Sequence, residues 1–312
     1  MARPSLALGA ALLSLALAGP TSARHAPPAA RPAITGISHL AVYSADAAAS
    51  EHFYVAILGA RKGTDPEDPE GVRYYFSPQQ FVEVLPLPAG QGPSRLAHAA
   101  YNTADAIGLR AWLAARGVKD LSPVWRTPDG SRWFDAVDPE GNQLQFVQPI
   151  TSDATPSPDA ISGRIIHIGY VVHGRAAEDA FYRDLLGFRP YWWGGFNAGS
   201  VDWVSQQAPD GPDWLEYMMV GPGSDVPLDK VDANQLGVLN HLSLGVPNME
   251  AAVTRLIAEN RLSKRHDGPQ MGLDGKWQAN LYDPDGTRIE LMEFQPSTKP
   301  CCSSFIAESP TH

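Results

Sequence analysis

Apolar and polar positions follow two alternating rhythms along this chain. "ISHLAVYSADAAASEHFYVAILGA" (37–60) opens with a short, mostly apolar run that predicts a strand, then shifts to helical spacing. "IIHIGYVVHGRAAEDAFYRDLLGF" (165–188) does the same. His39 and His167, Phe53-Tyr54 and Phe181-Tyr182, and Leu58-Gly59 and Leu186-Gly187 all correspond at an offset of 128. The Leu-Gly pair closes each helix, with the glycine as a C-cap. Two further histidine-bearing strands, "SRLAHAAYNT" (94–103) and "VLNHLSL" (238–244), also precede helical patterns. The first of these patterns runs around Leu109–Arg116, and the second starts at Asn248 as N-cap. "AVDPEGNQLQFVQP" (136–149) and "LYDPDGTRIELMEFQP" (281–296) each place a "DPxG" tight turn between two strands. The chain therefore predicts four repeats of strand, helix and about three strands. The polar stretch 150–163 is a linker that parts them into halves at 34–149 and 164–296.

Each unit ends in a strand with one polar residue where an apolar one is expected. These residues are Glu83, Gln145, Glu216 and Glu290. They lie 44, 47, 49 and 49 positions after His39, His98, His167 and His241. A carboxylate inside a half-buried strand is costly unless it is paired or coordinated. If the first and last strands of each unit line a common concavity, two units bring two imidazoles and two carboxylates together. That donor set suits one divalent ion of iron, manganese, nickel, cobalt or zinc. The metal site is therefore expected at His167, Glu216, His241 and Glu290. A second candidate comprises His39, Glu83, His98 and Gln145, where an amide replaces the fourth carboxylate and supplies neither charge nor a base.

Charge and composition narrow the function. A formal net charge of −10 in 312 residues argues against nucleic acid or an anionic membrane as partner. A small molecule is the expected partner, with homodimerisation left open. Arg3, the run "LALGAALLSLALAG" and "TSA" ending at Ala23 form a signal-peptide pattern, so a periplasmic or secreted protein is expected, with 24–33 as a linker. The only cysteines, Cys301 and Cys302, are adjacent and cannot staple distant parts of the fold. They sit in a 297–312 tail, expected to be disordered, with an intermolecular link or a metal-handling thiol pair as the sharper alternative. The aromatic, glycine-rich "PYWWGGFNAGSVDW" (190–203) offers Trp192, Trp193 and Phe196 to a substrate cavity, with Asn280 as a further candidate substrate contact. "QMGLDGKW" (270–277) reads as a surface loop or a lid on glycine hinges. His25, His52, His173 and His266 read as surface residues.

The openings "HLAVY" and "HIGYVV", the "FY…LG" helices and the segment "DPDGTRIEL" together resemble the vicinal oxygen chelate superfamily. This group includes glyoxalase I, bleomycin-resistance proteins and extradiol ring-cleaving dioxygenases. The resemblance covers about 34–296. It implies an α+β fold of four βαβββ modules paired into two glyoxalase-like domains. It also implies a metal-dependent lyase, isomerase or epimerase acting through a metal-chelated enolate of a small oxygen-rich substrate. Glu216 or Glu290 would shuttle the proton. Ring cleavage on iron held by His167, His241 and Glu290 is the alternative reading, with Asn280 where such enzymes usually carry a tyrosine. A non-catalytic binding protein of the resistance type is a third.

Overall fold

A computed structural model describes residues 30–150, 157–197, 199–221, 224–226 and 239–311. The signal-peptide expectation, and most of the linker expected to follow it, lie outside the described residues. Residues 31–312 cluster as one compact unit. Its elements run four times through the same order. The first module is β1 (Ile34–Ser44), α1 (Ala47–Glu51), β2 (Arg61–Thr64), β3 (Val72–Tyr75) and β4 (Phe81–Pro86). The second is β5 (Leu96–Thr103), α2 (Ala106–Ala114), β6 (Trp125–Arg126), β7 (Arg132–Val137) and β8 (Gln143–Gln148). The third is β9 (Ile165–Val172), α3 (Arg175–Asp179), β10 (Arg189–Gly194), β11 (Trp203–Gln207) and β12 (Trp214–Met219). The fourth is β13 (Leu239–Val246), α4 (Met249–Ala258), β14 (His266–Met271), β15 (Trp277–Tyr282) and β16 (Arg288–Glu293).

Each half folds into one eight-stranded sheet. The orders are β2-β3-β4-β1-β5-β8-β7-β6 and β10-β11-β12-β9-β13-β16-β15-β14. This is the expected α+β architecture of four βαβββ modules in two domains. In each sheet the two modules join through an antiparallel pair, β1 with β5 and β9 with β13. The first and last strands of each module run parallel side by side. The four central strands of a sheet are therefore those on which the sequence places the polar residues.

Local chemistry sets the helix ends. Asp46, Asp105 and Asn248 accept hydrogen bonds from the free amides of the first turns of α1, α2 and α4. The Phe-Tyr helices do not stay α-helical. α1 and α3 each pass into a π-helical segment, His52–Ile57 and Ala180–Leu185. Gly59 and Gly187 end them at φ of 74° and 85°, a conformation that a side chain disfavours.

The two halves share one apolar core and grip each other reciprocally. Tyr54 of the first Phe-Tyr helix donates to Asp283 Oδ2 at 3.1 Å. Tyr182 of the second donates to Asp138 Oδ2 at 3.2 Å. Each "DPxG" turn thus binds the helix of the opposite half. The acidic third residue of each turn continues the pattern. Glu140 accepts from the His173 and Gly174 amides at 2.6 Å, just before α3. Asp285 accepts from the Ala45 amide at 3.2 Å, before α1. Gln80 adds a strand-like link, donating to Ile165 O at 3.0 Å and accepting from Ile165 N at 2.9 Å.

The tail does not match the disordered segment expected from its composition. Through residue 311 it packs along β10: Ile306 N donates to Tyr191 O at 3.0 Å, and Trp193 N donates to Ser303 Oγ at 2.9 Å. Backbone groups of the edge strand, otherwise open to water, supply the reason. Cys301 and Cys302 form a disulfide with each other, so neither thiol is free for a metal or another chain. His52, His173 and His266 are exposed, as expected.

One buried acid marks the junction of the halves. Glu178 is 1% exposed, and its Oε2 has no hydrogen-bond partner. Burial, helped by Asp138 and Glu140, pushes its carboxyl up to about 8. A raised carboxyl pKa favours the neutral form in the fold. Its stabilisation is complete below about 4.5 and is lost as pH rises through about 8. Glu178→Gln is therefore expected to flatten the fall in Tm between pH 6 and 9, leaving the variant several degrees above wild type at pH 9. Thermal denaturation across that range checks it; an equally steep fall in the variant contradicts the assignment.

Candidate metal centre

The register of the central strands assembles two polar clusters. In the C-terminal half, Gly169 of β9 lies between Glu216 of β12 and His241 of β13. His167 pairs with Trp214 on one side and Ser243 on the other, and Ser243 pairs with Glu290 of β16. His167, Glu216, His241 and Glu290 therefore converge although they lie on four strands. His167 Nε2 is 3.3 Å from Glu290 Oε2, and His241 Nε2 is 3.7 Å from it. Glu216 Oε2 is 3.6 Å from His241 Nε2 and 3.9 Å from His167 Nε2. The two Nε2 atoms are 2.6 Å apart.

Close packing fixes both imidazoles. His167 stacks on Trp214 at 4.4 Å between ring centroids. The His241 ring lies over Gly169, where an added Cβ would come within 2.3 Å of Cε1. Only glycine permits that approach. Asn240 Oδ1 lies 2.8 Å from His241 Nδ1 and also accepts from Arg288. An Nδ1 proton donated to Asn240 leaves the Nε2 lone pair facing the cluster.

The electrostatics suit a cation. Burial lowers His167, and burial with the Arg288 charge puts His241 well below its ordinary value, so both imidazoles are neutral at pH 7. Burial, reinforced by the Glu290 charge, pushes Glu216 up to about 8. Burial also acts to raise Glu290, but His167 and Arg288 outweigh it and hold that carboxyl below its usual range. Glu290 Oε2 is buried without an aligned hydrogen-bond donor. Metal bonds of about 2.0–2.2 Å set ligand atoms about 3.0–3.6 Å apart. The carboxylate–imidazole distances match that spacing or lie just above it, and the His–His approach needs a small opening. The residues present fit a divalent ion.

The N-terminal cluster is built on the same register but compensates its charge differently. His39 Nε2 and His98 Nε2 are 2.9 Å apart, and Glu83 Oε2 is 3.6 Å from His98. Arg73, opposite Glu83 in the β3–β4 pair, reaches into the cluster. It lies 3.2 Å from Glu83, 3.0 Å from Asp65 and 2.6 Å from Glu67. Gln145 Nε2 donates to Glu67 at 2.9 Å. In the C-terminal half Ser205 stands at the Arg73 position, opposite Glu216, and donates to it at 2.9 Å. His39, Glu83 and His98 still lie close enough to share an ion, but the Arg73 guanidinium already pairs with the carboxylate. Sequence spacing missed Arg73 because only the strand pairing places it opposite Glu83.

A cavity of about 400 Å³ opens onto the C-terminal cluster. Glu216, His241 and Glu290 line it, with Trp192 and Phe196 among its apolar walls. Trp193 points to the other face of β10 and is 39% exposed. Asn280 is buried opposite Glu290 in the β15–β16 pair and does not line the cavity. The 270–277 segment ends β14, turns, and enters β15, and Gln270, Met271 and Asp274 form part of the wall. Cys301 N donates to Leu273 O at 2.8 Å, tying this wall to the tail. Lys276, which the sequence did not single out, is fully buried, with Nζ 4.8 Å from the Trp214 ring and 5.1 Å from Phe305. Burial brings its amine down to about 8, against the pull of Asp274, Glu216 and Glu290.

Fold and site together define a protein of paired βαβββ modules with a histidine–carboxylate cluster in each sheet. Residues 36–146 match the family model of the Glyoxalase/Bleomycin resistance protein/Dioxygenase superfamily, and the C-terminal half repeats the same fold. The N-terminal half thus carries the superfamily's sequence signature, and the chain has the tandem two-domain architecture of its paired modules. Among solved structures it resembles homoprotocatechuate 2,3-dioxygenase from Brevibacterium fuscum, at 17% identity and a TM-score of 0.62, over 85% of this chain and 82% of that one. The 2,3-dioxygenase LapB from Pseudomonas sp. KL28 is similar at 17% identity and 0.63, over 87% and 97%. So is a Mn(II)-bound glyoxalase from Novosphingobium aromaticivorans, at 19% and 0.64, over 84% and 83%. No curated protein matches the sequence.

Arg73→Ser tests the contrast between the halves. It leaves Asp65, Glu67 and Glu83 buried without their cation, and a loss of about 3–5 kcal/mol is expected. Added Mn(II) or Zn(II) should restore part of it in the variant by binding at His39, Glu83 and His98. Chemical denaturation with and without metal reads both effects; a variant as stable as wild type refutes the role given to Arg73.

Proposed function

We propose that the C-terminal half holds one divalent metal through His167, His241, Glu290 and Glu216 and is the catalytic half of an enzyme acting on a small oxygen-rich molecule. The observation that carries this is the pair of buried glutamates on neutral imidazoles at the floor of a cavity, with no arginine or lysine within ion-pair distance of either among the described residues. A bound divalent ion supplies a Lewis acid for two neighbouring substrate oxygens. Glu216 is the group that moves a proton: it edges the cavity and lies outside the tighter His167–His241–Glu290 group. Ser205 orients it through the 2.9 Å hydrogen bond. His167 and His241, locked by Trp214 and Asn240, position the ion and take no proton. This arrangement supports glyoxalase-type lyase, isomerase or epimerase chemistry. With export as the proposed localisation, a glutathione adduct is a poor substrate.

A second reading rests on a specific feature. His167, His241 and Glu290 alone form the tighter group, all buried, with one ligand atom from each within 4.8 Å of the others. Two histidines and one carboxylate suit non-haem iron, and two of the similar structures are 2,3-dioxygenases. No described histidine besides His167 and His241 lines the site as an acid–base partner, which places proton transfer by Glu216 first.

Metal analysis of the purified protein is expected to give one ion per chain. His241→Ala and Glu290→Gln should each abolish stoichiometric binding, whereas His98→Ala should retain it. Loss of metal from His98→Ala alone would transfer the function to the other half. Oxygen uptake with catechols by the iron-loaded protein separates the two readings, since proton transfer consumes none.

A further inference from the structure

We infer that the C-terminal cavity selects a substrate bearing a carboxylate on an apolar, largely aromatic body, with Arg288 as the anchor for that carboxylate. The inference rests on the reading of the adjoining cluster as a metal centre. Arg288 lies two residues before Glu290 on β16, hence on the same face, and it lines the cavity. Its Nη2 donates to Asn240 Oδ1 and lies 2.8 Å from His241 Nδ1. Its Nε is buried without a hydrogen-bond partner. Among the described residues no carboxylate lies within ion-pair distance of it. Arg73 in the other half shows what this fold does with a buried guanidinium, which there meets three carboxylates.

A charge count gives the sign of the missing partner. Two neutral imidazoles, Glu216 and Glu290 around a divalent ion sum to zero. Asp274 and Lys276 offset each other. Arg288 is left as the uncompensated charge beside the cavity. Arg288 is half-buried; a guanidinium partly withdrawn from water is better held once an anion meets it, and its planar fork matches a carboxylate. The remaining walls specify the body of the ligand. Trp192, Phe196, Trp203, Met218 and Leu273 present apolar and aromatic surface, and Phe196 stands 60% exposed at the rim. A neutral polyol or a sugar would leave these surfaces wet; an aromatic or branched acid with two adjacent oxygens fills every part.

The test uses the full-length mature protein loaded with Zn(II), so that binding is read without oxygen chemistry. The probes are 3,4-dihydroxybenzoate and its methyl ester, which share the ring and the vicinal oxygens and differ in the charge. Quenching of tryptophan fluorescence, backed by calorimetry, gives both affinities. The acid should bind at least about tenfold more tightly than the ester in the wild type. Arg288→Gln should erase that preference, and Arg288→Lys should keep part of it. Equal affinities in the wild type, a preference that survives Arg288→Gln, or no binding of either probe overturns the inference. Metal content measured on the same samples separates the causes. A metal-bearing protein without the preference refutes the anchor alone, whereas a wild type that takes up no metal refutes the metal reading beneath it.

Discussion

A carboxylate buried on the face of a sheet needs a cation or a proton, and this constraint organises both halves of the molecule. The central strands β4-β1-β5-β8 and β12-β9-β13-β16 have the same order and the same pairing. Each directs a glutamate and two histidines to one place. In the N-terminal half the cation is covalent: Arg73 reaches across from β3 and satisfies Glu83, with Asp65 and Glu67 recruited around it. In the C-terminal half a serine occupies that position, and a second glutamate replaces Gln145. One substitution removes a positive charge and the other adds a negative one. Both changes make the same place more negative. A third difference concerns shape. Ala41 stands at the position of Gly169, between Glu83 and His98. The extra methyl group occupies the space over which the His241 ring lies, and the His98 side chain is 17% exposed against 2% for His241.

The clusters stay ordered because neither half stands alone. The turns that join the last two strands of each half are those that bind the opposite helix, through Tyr54–Asp283 and Tyr182–Asp138. These turns end next to the strands bearing Glu290 and Gln145. Movement of one half against the other would therefore strain the strand that carries the fourth cluster residue. The geometry of the C-terminal cluster is in this sense maintained by contacts from the N-terminal half. This gives the arginine-filled domain a physical role: it clamps the domain that carries the two-glutamate cluster.

Much of this was legible in the sequence, and the limit can be located. The repeat offset and the similar spacing from each histidine to the polar residue of its last strand identified the modules, their halves and the residues on the central strands, because those depend on periodicity along the chain. Arg73, Ser205 and Lys276 escaped because their importance lies in cross-strand neighbours, which a single chain does not display. The same holds for the acids of the "DPxG" turns. They read as turn formers, which they are, but their second role is across the molecule. Trp193 was grouped with Trp192 by composition, although adjacent residues of a strand face opposite sides. The tail was misjudged for a related reason. Its polar, proline-containing composition says little about the open edge of β10 against which it folds.

That tail bears on the centre more closely than its position suggests. Phe305 packs on Tyr191 at 4.8 Å and, with Trp214, encloses the Lys276 amine. Trp214 in turn stacks on His167. A buried ammonium among aromatic faces is held by their negative quadrupoles as well as by the nearby acids. It adds positive potential behind the ring that orients a ligand histidine. On the other side, the tail backbone joins Leu273 of one cavity wall to Trp192 of the other, since Trp192 Nε1 donates to Cys301 O at 3.3 Å. The disulfide lies at this crossing. The short loop it closes sets the local path of the backbone that both walls bind. The C-terminal half thus owes its asymmetry to two additions that its sister lacks in this form: an acid in place of an amide at the floor, and a strap that fixes the walls above it.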